Sequence, residues 1–147
     1  MHKLTLAAFL LAAILSAHAQ GTVAAPGGNP AAYQPKFAGD KAHSVAEAAA
    51  LGYMRTVVVA EKLYNRKHGH YAESLPALVG SGSFTRRMVN PDRGDYKVSF
   101  RPKPDGYALS LIPLQFDAAH RAFYVTQGGE FRVEDAQPAQ ERSPLLK

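Results

Sequence analysis

The chain has 147 residues, with 17 Lys and Arg against 12 Asp and Glu, a formal charge of +5 and no cysteine. That length fits one domain. The lack of cysteine excludes disulfides and thiolate metal sites, and the mild positive charge permits contact with a polyanion or anionic lipid without demanding it.

Residues 1–19 read as an export signal. His2 and Lys3 open it, Leu4 to Ala17 is apolar, and Ala17-His18-Ala19 fits a small-x-small cleavage pattern that puts the mature start at Gln20. The apolar run falls short of the roughly 20 residues that span a bilayer. The mature chain is therefore expected in the periplasm or outside the cell, with no stable membrane span after cleavage. Residues 20–43 mix Ala, Gly and Pro with the isolated aromatics Tyr33 and Phe37. They have no sustained period and read as a flexible linker.

Ser44 to His68 reads as one long amphipathic helix. Ser44 and Glu47 have capping-box spacing. Gly69 supplies a left-handed stop, and Arg66, Lys67 and His68 place positive charge at the negative end of the dipole. Ala50, Tyr53, Met54, Val57, Val58 and Tyr64 recur every three or four residues and form an apolar stripe. Glu61 falls inside that stripe, where a carboxylate needs a cationic or hydrogen-bonding partner or stays protonated.

His68-Gly69-His70-Tyr71 follows. Two histidines in this spacing do not make a zinc site, which wants three or four ligands. Ser74-Leu75-Pro76 predicts a short second helix ending at Gly80. Residues 81–95 read as a loop. Arg86, Arg87, Arg93, Lys97, Arg101 and Lys103 form a basic set beginning there. The plain reading of that set is a solvated face, and the functional one is polyanion binding. The Arg93-Gly94-Asp95 triplet is short enough to arise by chance.

Four strand-like runs come next: Tyr96–Arg101, Tyr107–Ile112, Arg121–Thr126 and Glu130–Glu134. Pro104-Asp105-Gly106 and Gln127-Gly128-Gly129 are turn sequences between them. Short turns between successive runs imply an antiparallel meander. One-sided helix and one-sided sheet must then bury their apolar faces on each other. The expected class is α+β, one long helix on a three- to four-stranded antiparallel sheet. Residues 135–147 are polar with prolines and are expected to be disordered.

The stretch Met54-Arg55-Thr56 through Ala60-Glu61 to Tyr64, then Gly69-His70-Tyr71, resembles the helix and post-helix segment of type IV pilin-like and pseudopilin-like proteins. So does the late run Arg121-Ala122-Phe123-Tyr124-Val125-Thr126-Gln127-Gly128-Gly129-Glu130-Phe131-Arg132. The resemblance implies a pilin-like head over residues 44–134, with Glu61 as a buried structural charge and Arg121 as its partner. Thr126 and Gln127 stand where the family usually has an acidic turn residue, so no metal ligands carry over, and no cofactor is implied. The prepilin leader and its apolar half-helix are replaced by the secretory signal.

The functional expectation is an exported, non-enzymatic pilin-like module that binds or assembles with a cell-envelope secretion or pilus system. The alternative is a polyanion binder for DNA or acidic polysaccharide, with Phe84, Tyr96 and Phe100 interleaved among the six basic residues. A small hydrolase would have to draw on His68, His70, Glu61 and Asp117, which are scattered. The chain has no Gly-x-Ser-x-Gly nucleophile motif and no phosphate-binding glycine loop.

Overall fold

A computed structural model describes residues 33–147. The export signal and most of the linker lie outside them. Helix α1 (Val45–His68) is 24 residues long. Ser44 is extended, and its Oγ accepts the Glu47 N–H at 3.1 Å. At the other end Gly69 has φ +78° and donates its N–H to the Asn65 carbonyl at 2.7 Å. Ala50, Leu51, Tyr53, Met54, Val57, Val58 and Ala60 are buried, whereas Val59 is half exposed. A short 3₁₀ turn, Leu75–Leu78, folds back beside the helix where a second helix was expected, and another covers Arg86–Val89.

The sheet has five antiparallel strands, more than the three or four expected. In chain order and in space they are β1 (Asp92–Arg93), β2 (Tyr96–Lys103), β3 (Gly106–Pro113), β4 (Ala122–Thr126) and β5 (Arg132–Glu134). The additional strand is β1, where the turn before Tyr96 doubles back to pair Asp92 with Lys97 and Arg93 with Tyr96. Gly94 sits at its tip with φ +60°, the positive φ that a two-residue hairpin requires. Beyond this pairing, the Val98 N–H donates to the Pro91 carbonyl at 2.8 Å.

Alternation along the strands sorts the side chains onto two faces. Tyr96, Val98 and Phe100 of β2, Tyr107, Leu109 and Leu111 of β3, and Phe123 and Val125 of β4 pack with the buried stripe of α1. Full burial of a large apolar side chain contributes roughly 1.5–3 kcal/mol, and without disulfides this layer carries the stability. The opposite face carries a smaller cluster of Ala108, Ala122 and Tyr124.

Residues 135–147 are ordered against the sheet, contrary to the disorder expected of them. Ala139 completes the outer cluster with Ala108, Ala122 and Tyr124. The Val133 N–H donates to the Pro144 carbonyl and the Leu146 N–H to the Phe131 carbonyl, both at 2.9 Å, so the chain end lies along β5. The described part of the linker is also tied down. Asp40 accepts the Tyr33 hydroxyl and the Lys36 and Ala42 N–H groups, and Arg55 of α1 lies over the Phe37 ring. The isolated aromatics Tyr33 and Phe37 were the one sign in the linker that it could dock on the domain, whereas the Ala- and Pro-containing chain end carries no periodic signal.

Candidate functional site

The residues singled out above do not gather in one place. At the start of α1, Glu47 is fully buried and faces Arg121, which enters β4. Arg121 Nε donates to Glu47 Oε1 at 2.9 Å and Nη2 to Oε2 at 2.8 Å, while the Arg121 backbone N–H also reaches Oε1 at 2.9 Å. The His43 N–H donates to Oε2 at 2.7 Å. Arg121 Nη2 donates also to the Lys41 carbonyl, and Ser44 Oγ donates to the Ala119 carbonyl. Two-pronged, charge-assisted contacts of this kind offset the cost of burying both ions.

The partner expected for Arg121 was Glu61, and that pairing is corrected. Glu61 lies about four turns further along α1, roughly 21 Å away at 1.5 Å per residue. Glu47 also departs from the capping box. Its carboxylate passes Ser44 and takes the N–H of His43.

Glu61 itself is fully buried. Its Oε2 accepts the Ala72 N–H at 3.0 Å, which ties the loop after the helix to α1. Its Oε1 has no hydrogen-bond partner among the described residues. Burial pushes the carboxyl pKa up to about 7, against a smaller opposing effect of the Ala72 bond. The Tyr107 phenol is pushed up by burial and by the nearby Glu61. A group this enclosed can hold a proton near neutral pH but cannot meet a substrate.

The other candidate acid–base groups are kept apart. His68 and His70 cluster with Tyr64 at the C-terminal end of α1, the Tyr64 and His68 rings stacked 4.2 Å apart. Asp117 lies near the N-terminal end, beside Ala119, and its Oδ1 meets His120 Nδ1 at 2.8 Å. The Ala119 N–H and His120 hold the Asp117 carboxyl below its usual value. About 36 Å of helix separates these groups.

The basic set does not form one surface. Arg93 lies over the Tyr53 ring of α1, 4.4 Å from its centroid. Arg86 and Arg87 belong to the 3₁₀ turn whose Met88 carbonyl accepts the Tyr53 hydroxyl, so they flank the helix layer. Lys97, Arg101 and Lys103 alternate onto the opposite face of β2. The aromatics interleaved with them are unavailable for stacking on bases. Phe84 and Tyr96 are buried, and Phe100 packs against Tyr107 in the core.

On that opposite face the ordered C-terminal segment stands above β2 and β3 and leaves an open groove of about 630 Å³. Ser99, Arg101 and Lys103 line it from β2, Ser110 from β3, and Arg142 from the C-terminal segment. Lys103 is bridged to Glu141 at 3.5 Å. Alternation in residues 96–103 foreshadowed the strand side of this groove. Arg142 had no such signal, because the segment carrying it read as disordered.

No known protein family, curated protein or solved structure matches the chain. Among the described residues no helix is long and apolar enough to cross a membrane.

Proposed function

We propose that this chain is an exported pilin-like module that works by docking, without catalysis, in a cell-envelope secretion or pilus system, in the periplasm or at the cell surface. The observation that carries the reading is the order of parts. Among the described residues the 24-residue helix precedes the sheet and is laid across the inner face of antiparallel strands that follow in sequence order. That is the order implied by the motifs around Met54–Tyr64 and Arg121–Arg132. The buried Glu47–Arg121 bridge fixes the start of the helix to the residue before β4, a different pairing from the Glu61–Arg121 one that the resemblance implies. The separation of His68 and His70 from Asp117 favours binding over acid–base chemistry.

The test is deletion of the gene in its host, with surface piliation and the secretion of exported proteins both measured, and complementation by the full chain. Loss of either property, restored by the full chain, is the expected result. A deletion strain normal in both overturns the proposal. Mass spectrometry of the exported protein is expected to find Gln20 at its N-terminus.

A further inference from the structure

The groove under the C-terminal segment brings free cations together on two walls. Arg101 stands on β2 and Arg142 on the segment that crosses above it, and neither guanidinium has a hydrogen bond or ion pair among the described residues. Lys103 differs. The Glu141 carboxylate holds it at 3.5 Å, and the Tyr124 hydroxyl lies beside it. That bridge joins the two walls and leaves Arg101 and Arg142 as the uncompensated charges.

The volume, about 630 Å³, lies within the roughly 300–1,000 Å³ range of pockets that hold small ligands. Ser99 and Ser110, cross-strand partners on β2 and β3, line the floor of the groove. Hydroxyls there can exchange hydrogen bonds with the hydroxyls of a ligand. Guanidinium groups recognise planar carboxylates with two parallel bonds. Among the described residues lining the groove, Tyr124 is the one aromatic, and at 8% exposure it presents little ring face on which a base could stack. The chemistry is that of a hydroxyl-rich chain bearing spaced carboxylates. We propose that this groove binds an acidic oligosaccharide, with Arg101 and Arg142 each taking a sugar carboxylate.

The test is calorimetric titration of the exported protein with pentagalacturonate at low salt, alongside neutral maltopentaose and a ten-residue oligothymidylate. Pentagalacturonate is expected to bind, and to bind more weakly as salt is added, while maltopentaose does not bind. The double variant Arg101→Ala/Arg142→Ala is expected to lose at least tenfold in affinity with an unchanged melting temperature. Arg86→Ala/Arg87→Ala, on the helix side, is expected to bind as the parent does. Ser110→Asp, which puts a negative charge on the floor, is expected to abolish binding independently. No binding of pentagalacturonate, undiminished binding by the double variant, or equal binding of the oligothymidylate overturns the proposal.

Discussion

The Glu47 carboxylate takes three hydrogen bonds from Arg121, two from the guanidinium and one from the backbone N–H, across 74 residues of chain. Both residues are buried. Removing one partner strands the other as an unpaired charge, which costs about 3–5 kcal/mol. Arg121→Ala and Glu47→Ala are each expected to lower the melting temperature by well over 10 °C, at roughly 4–8 °C per kcal/mol for a domain of this size. The double variant should cost much less than the sum of the two. Thermal denaturation of the four proteins measures this, and additive losses would show that the pair is not coupled.

Glu61 makes stability depend on pH. The folded state holds its carboxyl proton up to a pKa of about 7, against an ordinary 4.5, because burial penalises the charged form. The folded state therefore binds the proton more tightly than the unfolded chain. The Glu61 contribution is fully present below about pH 4.5, declines as the pH rises through 7, and is lost above it. The loss is on the order of 3 kcal/mol. Glu61→Gln keeps an acceptor for the Ala72 N–H and cannot ionise. Its melting temperature is expected to exceed the parent's at pH 8 and to approach it at pH 4.5. Parallel curves for the two proteins across that range would refute the assignment.

The C-terminal segment is anchored by Ala139, 5% exposed against Ala108, Ala122 and Tyr124. None of Ala108, Ala122 and Tyr124 carries a positive charge to pair with a carboxylate at that position. Ala139→Asp should release the segment at a cost of about 2 kcal/mol or more. Limited trypsin digestion reads the release directly. Cleavage after Arg142 is expected to be slow in the parent and fast in the variant, and equal rates would mean that the segment is not held by this contact.

The glycine within α1 and the glycine that caps it should respond in opposite directions. A methyl group at Gly52 meets nothing within 4 Å, so Gly52→Ala in mid-helix should stabilise by about 0.5–1 kcal/mol. Gly69 has φ +78°, where an alanine is strained, and Gly69→Ala should destabilise by about 1 kcal/mol. Chemical denaturation of both variants checks the pair.

Much of the architecture was readable from local signals. Ser44 and Gly69 mark the helix ends because capping depends on residues a turn apart. The alternation at Tyr96, Val98 and Phe100 marks the inner face of β2 because a strand has period two. What escaped was non-local. Two glutamates lie on α1, and nothing within the helix says which one Arg121 will meet. Glu47 was legible only as a capping residue, and its larger partner, Arg121, comes from the residue just before β4. The six basic residues read as one set along the chain, yet alternation and the β1 hairpin send Arg93 to the helix side and Arg101 to the other. The groove completed by Arg142 depends on a segment whose alanine and proline anchors have no periodicity.

The chain end covers β5, and among the described residues no strand pairs with the outer side of β2 beyond Val98. The Val98 N–H is already taken by Pro91, and alternate amides point the same way. Pro102 has no N–H, so along residues 99–103 only the Phe100 amide remains as an outward donor. An incoming strand would meet the outward carbonyls of Phe100 and Pro102 but a single donor. Docking by strand addition is thereby short of backbone donors along this stretch of β2.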